Sequence, residues 1–250
     1  MRARGLPMLC AVLLLAGCAS SAPAPKTQLD TTSRLKVADA AASAGDHDLA
    51  ASMYSRAITD PSLATSERVR AADMLVQLGR SETAESALSE RLRTSPNEAE
   101  LHRALARLHI LGGKSASAVA DCDVLLARDP HDLVALTDKA VALDLLGQHR
   151  DAQALYRQAL TLSPDDAAVR SNLALSEALD GRMGEAKAAM APLQNRPDLS
   201  NRVKTDMGLL FAADGDEAAS QSWLDGRGAD AHDVATVAQA LRAHTPSAPQ

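Results

Sequence analysis

The sequence predicts an all-α solenoid, a rod of stacked helix pairs, because one pattern of turn and packing residues returns every 34 residues. The turn glycines are Gly45, Gly79, Gly113, Gly147, Gly181 and Gly215. The small residues five places after them are Ala50, Ala84, Ala118, Ala152, Ala186 and Ser220. The larger residues four places further on are Tyr54, Leu88, Cys122, Tyr156, Met190 and Leu224. An irregular helical bundle would not hold this register, so a repeat is predicted.

The unit at residues 133–166 shows the physical reason for the pattern. Gly147 ends the first helix of the pair, where a left-handed backbone carries no Cβ clash. Ala152 lets the two helices approach closely, and Tyr156 fills the space beside it. Pro164 cannot continue a helix and turns the chain into the next unit. Because one pair cannot bury its apolar face alone, neighbouring units must stack.

Composition favours closely spaced helices and excludes several classes of protein. Aromatic residues make up 2% of the 250 residues, which argues against a β-sandwich or barrel. The net charge of −6 indicates no excess of positive charge of the kind that binds nucleic acid. Of the three cysteines, Cys10 lies in an apolar leader and Cys122 at a packing position, so no disulfide framework is implied.

The start of the chain has the features of a lipoprotein leader. Arg2 and Arg4 precede an apolar stretch that is too short to cross a bilayer as a helix. The segment L-A-G-C that ends at Cys18 resembles the lipobox of bacterial lipoproteins, which implies cleavage before Cys18 and attachment of lipid to it. An ordinary signal peptide with an incidental cysteine is the alternative. Ala19 follows rather than aspartate, which by the same resemblance implies an outer-membrane location facing the periplasm.

The domain layout follows from this leader, the repeats and the composition of the ends. We predict a signal peptide at 1–17, a lipidated cysteine and flexible tether at 18–33, a repeat array at 34–228, a capping helix at 229–244 and a disordered tail at 245–250. The units lie near 34–64, 65–98, 99–132, 133–166, 167–200 and 201–228. Val234, Val237, Ala238 and Leu241 form one apolar stripe of the capping helix, which we expect to cover the last unit.

We find no pattern of residues that indicates catalysis or metal binding. His102 and His109 lie seven residues apart on one predicted helix, with no cysteine or carboxylate pattern typical of a zinc site beside them. A glycine-rich phosphate loop and a G-x-S-x-G elbow are both missing from the sequence. The sequence therefore predicts no enzyme, no catalytic residues, no metal, no cofactor and no small-molecule substrate.

The 34-residue unit resembles the tetratricopeptide repeat, or TPR, in the type of residue at six positions. Counted from Leu133 as position 1, these are Ala140 at 8, Gly147 at 15, Ala152 at 20, Tyr156 at 24, Ala159 at 27 and Pro164 at 32. The resemblance implies a right-handed superhelix of about six helix pairs that ends in the capping helix. It also implies that the chain binds other proteins.

In TPR arrays the first helix of each pair lines the concave surface, with positions 2, 5, 9 and 12 facing it. By this resemblance the candidate peptide-binding residues are Asp73, Glu100, Arg103, Arg107, Thr137, Val141, Asp144, Ser171 and Leu175. Asn172, at position 6, is also near this face and could hydrogen-bond a peptide backbone. Arg103 and Arg107 are one turn apart and suit an acidic segment or a carboxyl terminus. The alternative is that both contact Glu100 and merely keep the helix solvated. The remaining small and apolar residues suit an extended or helical peptide.

The fifth and sixth units resemble the TadD lipoproteins of the tight-adherence (Flp pilus) system. The resemblance lies in SNLALSEALDGRMGEAKAAMAPLQNRPDLSNRVKTDMGLLFAADGD, residues 171–216, and extends to the leader. It implies a non-catalytic assembly factor for a Flp/Tad-type pilus or its secretin, with pilus or secretin components as partners. Two alternatives are open: a general periplasmic scaffold for cell-envelope or other secretion machinery, and an accessory subunit that holds an envelope enzyme.

Overall fold

The computed structural model describes residues 30–225 and the helical residues 234, 236–239 and 241. The α-helices between residues 30 and 225 are α1 Thr31–Ser43, α2 His47–Thr59, α3 Thr65–Gln77, α4 Ser81–Thr94, α5 Ala99–Leu111, α6 Ser115–Arg128, α7 Leu133–Leu145, α8 His149–Leu162, α9 Ala167–Leu179, α10 Met183–Met190, α11 Asn201–Asp214 and α12 Glu217–Leu224. A 3₁₀ turn at Ala191–Leu193 follows α10. No strand occurs among the residues described.

The helices form successive pairs that stack along the chain. We call the odd-numbered helices the A helices and the even-numbered ones the B helices. Each A helix packs against the B helix that follows it, and α5, for example, also packs against α3, α4 and α7. From α3 to α11, each A helix contacts the next A helix. The predicted all-α solenoid of six helix pairs is confirmed.

The six turn glycines adopt the left-handed backbone that the sequence predicts. Their φ angles lie between +70° and +88°, and no other described residue has a positive φ. At Gly147, where φ is +73°, a Cβ atom added to the backbone would meet no atom within 4 Å. The glycine is therefore needed for its backbone conformation and not for space.

Replacing Gly147 with alanine should destabilise the chain by about 1 kcal/mol, because only the left-handed conformation is penalised. Gly184 is the matched control, since it lies in the first turn of α10 without a positive φ and has equally open surroundings. Gly184→Ala should be neutral or stabilising by about 0.5 kcal/mol. Denaturant unfolding of both variants measures the difference, and equal effects would contradict the conformational role of Gly147.

The small residue of each pair is buried, as the sequence predicts for position 20. Ala50, Ala84, Ala118, Ala152 and Ala186 are fully buried, and Ser220 is buried as well. The larger residues four places on fill the adjoining space. Tyr54, Leu88, Cys122, Tyr156 and Met190 are buried, and Leu224 is half-buried. The predicted register of the repeats is confirmed over all six units.

The last two units depart from the regular pattern for identifiable reasons. α10 ends at Met190 and gives way to the 3₁₀ turn because Pro192 has no N–H to continue the helix. Gly208 lies in the middle of α11, where a Cβ would come within 2.5 Å of Leu224 Cγ. The glycine thus lets α11 and α12 pack closely, which explains a mid-helix residue that is otherwise unfavourable.

The two ends of the array also differ in detail from the sequence prediction. α1 begins at Thr31, inside the segment predicted as tether, because the Asp30 side chain accepts a hydrogen bond of 2.8 Å from the Ser33 N–H and caps the helix. Near the other end, Ala238 and Leu241 are buried in the cluster of core residues that includes Met207. The four apolar residues of the predicted stripe do not all take part, since Val237 is 43% exposed.

Several predictions concern parts of the chain outside the described residues. These are the signal peptide, Cys18, the tether up to residue 29 and the tail at 245–250. Within the described part, none of the helices combines the length and the apolar character needed to span a bilayer.

Candidate functional site

A cleft opens between the A helices α3 and α5. We call the surface that contains this cleft and the predicted binding positions of the other A helices the A-helix face. The cleft has a volume of about 240 Å³. Its lining residues are Ser66, Val69, Glu100, Arg103, Ala104 and Arg107. The structure thus brings together three of the predicted binding residues. The cleft also includes Ser66 and Val69, which were not among the predicted residues. They occupy positions 2 and 5 of their unit, so the same rule of repeat positions could have predicted them.

Arg103 is held in place by the next unit. Its guanidinium contacts Asp132 Oδ2 at 2.5 Å, and the Asp132 side chain also accepts a hydrogen bond of 3.1 Å from the Ala135 N–H at the start of α7. Burial opposes the ionisation of Asp132, but the hydrogen bonds from Arg103 and Ala135 outweigh it and lower the pKa of this carboxyl. Arg103 therefore acts first as a link between units.

Arg107 leaves its donors open to solvent. It is exposed, and it takes part in no ion pair within 4 Å in the part of the chain that the structure describes. Burial raises the pKa of Asp138 on α7, and the charge of Arg107 opposes that rise. Neither Arg103 nor Arg107 pairs with Glu100, so the alternative in which both arginines contact this glutamate is not observed.

The residues at position 9 form a row along the A-helix face, and they change from charged to apolar along the chain. From the first unit to the sixth they are Asp39, Asp73, Arg107, Val141, Leu175 and Leu209. Asp39 is already engaged by Arg70 at 3.0 Å and by the Tyr54 hydroxyl at 2.6 Å. The three apolar residues of the row are half-buried, and Val141 packs against a core cluster. The position-9 row is therefore charged over the first three units and apolar over the last three.

The side chains of Thr137 and Asp144 make hydrogen bonds within the protein and not toward solvent. The Thr137 hydroxyl donates a hydrogen bond of 2.8 Å to the Leu133 carbonyl within α7. The Asp144 carboxylate accepts 2.6 Å from the Ser176 hydroxyl and lies 2.9 Å from His149 Nδ1. Both side chains are half-buried, and their polar atoms support the packing of α7 with its neighbours.

Ser171 and Asn172 differ most from their predicted place on an open surface. Both are buried, with Ser171 fully inaccessible. The Ser171 hydroxyl donates 2.7 Å to Asp206 Oδ2, and the Asn172 side-chain oxygen accepts a hydrogen bond from Arg202. They fasten α9 to α11. Their positions in the repeat match a groove, but polar partners from the next unit take up their hydrogen bonds.

Asp206 should make the stability of this joint depend on pH. Burial raises the pKa of its carboxyl, against the opposing effects of the Ser171 hydrogen bond and the Arg202 charge. The folded chain therefore holds the proton more tightly than the unfolded chain, so this contribution to stability is present in acid and is lost as pH rises through the raised pKa. Asp206→Asn should accordingly gain stability relative to the natural chain as pH rises from about 4 to 8.

Asp198→Asn provides a control of opposite sign for that experiment. The exposed Asp198 carboxylate accepts hydrogen bonds of 3.0 and 2.6 Å from Arg196, which lower its pKa. Its contribution is fully present above the ordinary aspartate pKa of about 4 and is lost as pH falls below it, so this variant should lose stability relative to the natural chain as pH rises from about 2 to 4. Unfolding free energies of both variants from about pH 2 to 8 check the two slopes, that of Asp198→Asn below about pH 4 and that of Asp206→Asn above it. Slopes of the same sign would contradict the two environments.

The remaining reactive side chains serve the packing of the third unit. His102 Nδ1 and His109 Nδ1 lie 2.8 and 2.9 Å from the two oxygens of Asp121, and so connect α5 to α6. Burial raises the pKa of the Cys122 thiol to about 12. No group of three or more potential metal ligands occurs among the residues described.

Comparison with known proteins identifies the family. Residues 69–132 and 137–198, about half of the chain, match the family model of the tetratricopeptide repeat. The chain belongs to the tetratricopeptide repeat family. Repeats of this family are typical of non-catalytic scaffolds that bind other proteins.

Individual relatives add information on the fold. The uncharacterized protein y4yS of Sinorhizobium fredii is 36% identical over 98 residues, which is 39% of this chain and 54% of that protein. This chain thus spans about half the length of that relative. A tetratricopeptide repeat protein from Parabacteroides merdae has a similar structure, with a TM-score of 0.67, 14% identity and coverage of 87% of this chain and 86% of its own. TTC0263 of Thermus thermophilus has a TM-score of 0.58 and 21% identity, with coverage of 71% of this chain and 99% of its own. At these identities, the two structures support the fold alone.

Proposed function

We propose that this chain is a lipid-anchored, non-catalytic scaffold of the bacterial envelope that binds another protein on its A-helix face. The observation that carries this proposal is the contrast within that face. Arg103 and Asp144 are occupied by neighbouring helices, whereas the exposed Arg107 has free donors and the half-buried Leu175 is partly accessible to a partner. A surface that has both a free guanidinium and accessible apolar side chains suits a polypeptide ligand.

The anchor part of the proposal rests on the sequence around Cys18. Acyl chains contribute about 0.8 kcal/mol per buried methylene, so the two or three chains of a lipoprotein give a lasting attachment. The tether would hold the repeats away from the lipid headgroups, on the periplasmic side of the outer membrane. Cys18→Ser should abolish labelling by radioactive fatty acid and release the protein into the soluble fraction. Retention of the variant in membranes would refute the anchor.

The particular process we propose is the assembly of a Flp/Tad-type pilus or its secretin. The likeness of residues 171–216 and of the leader to TadD supports it. Purification from detergent-solubilised outer membrane should recover a pilus or secretin component, and deletion of the gene should prevent pilus assembly. If only peptidoglycan enzymes are recovered and pili still assemble in the deletion strain, the protein is instead an envelope scaffold of another system.

A further inference from the structure

The two ends of the rod are covered differently. At the end of the last unit, Ala238 and Leu241 are buried in the core cluster that includes Met207. At the start of the first unit, no helix of the described structure precedes α1. Terminal units of a solenoid need a polar outer surface, because their outer side has no neighbour to cover it. We call the surface that α1 and α2 would offer to a preceding unit the end face.

The cleft between α2 and α4 shows which side of a B helix meets the unit before it. The residues of α4 that line this cleft lie at positions 18, 19, 22, 23 and 26 of their unit and are Glu82, Thr83, Ser86, Ala87 and Glu90. The residues at the same positions of α2 are Asp48, Leu49, Ser52, Met53 and Arg56. These five residues of α2 therefore belong to the end face.

The end face is more apolar than an outer surface of a solenoid should be. Leu49 is 47% exposed and Met53 is half-buried, whereas Thr83, the counterpart of Leu49 in the second unit, is polar although it faces α2. Val37 on α1 is 39% exposed. Its counterparts in four later units are buried, namely Ala71, Leu105, Leu173 and Met207. Apolar side chains are thus accessible together at this end, which is typical of a surface that meets another protein.

The charges on α2 make the end face complementary to a second copy of itself. Asp48 lies four residues before Ser52 and Arg56 lies four residues after it, each about 6 Å away along the helix axis. When two copies of α2 meet antiparallel with Ser52 at a two-fold axis, Asp48 of each copy comes level with Arg56 of the other. A parallel arrangement would place like charges beside each other.

The groups required for this pairing are accessible. Arg56 is exposed and takes part in no ion pair with another residue of the range 30–225. The Asp48 side chain is 88% exposed, and its hydrogen bond from Arg80 uses one of the two carboxylate oxygens. Ser52 is small and exposed, so two helices can approach closely at the axis. Leu49 and Met53 would bury apolar carbons between the copies.

We infer that two copies of this chain associate through their end faces, with α2 packed antiparallel against α2 of the second copy. Two reciprocal ion pairs join Asp48 of each copy to Arg56 of the other, and Leu49 and Met53 form the apolar centre. The contact is closed, because both copies use the same surface. It does not involve the cleft between α3 and α5.

The size of the end face determines the strength of this dimer. Two helices of 13 residues, each about 20 Å long and about 10 Å wide, offer on the order of 400 Å² per copy. A standard interface has about 800 Å² per partner, so the dimer should be weak, with a Kd of about 10–100 μM. The proposed lipid anchors would raise the local concentration of both copies on a membrane. Only this last step rests on the proposed function.

Reversed charges test the geometry of the dimer. Sedimentation equilibrium of residues 18–250 carrying Cys18→Ser should show a shift from monomer to dimer between about 1 and 500 μM. Asp48→Arg and Arg56→Asp should each weaken the dimer at least about tenfold, because like charges then face each other. An equimolar mixture of the two variants should associate within about threefold of the unreversed chain, because opposite charges meet again. Recovery in the mixture cannot come from a change in the fold of either variant.

An apolar substitution and a matched control test the centre of the contact. Leu49→Ser should weaken the dimer about tenfold. Leu145→Ser should leave the Kd unchanged, since Leu145 is 58% exposed but lies at the end of α7 in the fourth unit. Melting temperatures of all variants verify that they are folded.

A cysteine at the two-fold axis tests the arrangement in cells that express the full chain. Ser52→Cys places a thiol beside its equivalent in the second copy, so mild oxidation with copper phenanthroline should give a disulfide-linked dimer on a non-reducing gel. Ala154→Cys is the control, because it lies at the same repeat position of α8 and is exposed, but belongs to the fourth unit. It should stay monomeric. Equal cross-linking of both variants, or none of either, would contradict the arrangement.

The inference and the proposed function fail separately. A chain that stays monomeric up to about 500 μM, or a dimer whose Kd is the same in the charge variants, would overturn the inference. The end face would then be free, or covered by residues before Asp30 or by another protein. A monomeric chain that still recovers a pilus or secretin component leaves the proposed function standing. A dimer with the expected response to the variants, but without such a component, refutes the pilus assignment and supports the inference.

Discussion

Arg68→Ala should lower the free energy of unfolding by about 3 kcal/mol or more, one of the two largest effects we expect. Arg68 is 2% exposed at the joint of the first three units. It donates hydrogen bonds to the Ile58 carbonyl at 3.0 Å and the Asp60 carbonyl at 2.5 Å, and lies 3.7 Å from Glu98. Truncation to alanine removes a donor from two carbonyls and leaves Glu98 without one of its positive partners.

Arg70→Ala is the matched control on the same helix. Arg70 pairs with Asp39 at 3.0 Å, but both side chains are more than 40% exposed. Exposed pairs contribute about 0–1 kcal/mol, so this variant should unfold close to the natural chain. Denaturant unfolding of the two variants side by side gives the comparison. If Arg68→Ala costs no more than Arg70→Ala, the buried arginine does not hold this joint.

Ala152→Trp should destabilise the chain by about 3 kcal/mol, because Ala152 is fully inaccessible within a core cluster that includes residues of α7 and α8. The indole cannot fit without forcing the pair apart. Ala154→Trp places the same side chain two residues along α8, where the alanine is exposed. That control should change stability by at most about 0.5 kcal/mol. Thermal and denaturant unfolding measure both, and equal losses would contradict the packing of position 20.

The fold could be predicted from the sequence because its determinants are local and repeated. A glycine such as Gly147 predicts a turn with a left-handed backbone, and Ala152, five residues later, predicts a buried helix contact. Neither prediction depends on the rest of the chain. The break after α10 also had a signal, since Pro192 cannot donate a backbone hydrogen bond. Repetition over six units made each of these weak signals strong.

The candidate site was less predictable because it depends on pairs of residues from different units. Their positions in the repeat predicted that Glu100, Arg103 and Arg107 share one surface, and the three residues line one cleft. It could not show that Asp132 would accept a hydrogen bond from Arg103, or that Asp206 would accept one from Ser171. Such partners lie about 30 residues away in sequence and follow no fixed pattern.

Arg68 illustrates the same limit in the core. A basic residue near the start of a helix gives no sign in the sequence that it will be buried. Its burial follows from the loop after α2, which turns the carbonyls of Ile58 and Asp60 toward it. Leu63, also in that loop, is buried beside the core and keeps water out. Only the packed arrangement of three units creates the site that this side chain fills.

Site-specific photo-cross-linking in living cells tests most directly whether the A-helix face binds the partner. If the proposed function holds, a photo-reactive residue at Val141 on the A-helix face should cross-link the protein to a pilus or secretin component. The same residue at Ala154, exposed on the B helix α8, should not. Cross-links to that partner from Ala154 and none from Val141 would contradict binding on the A-helix face.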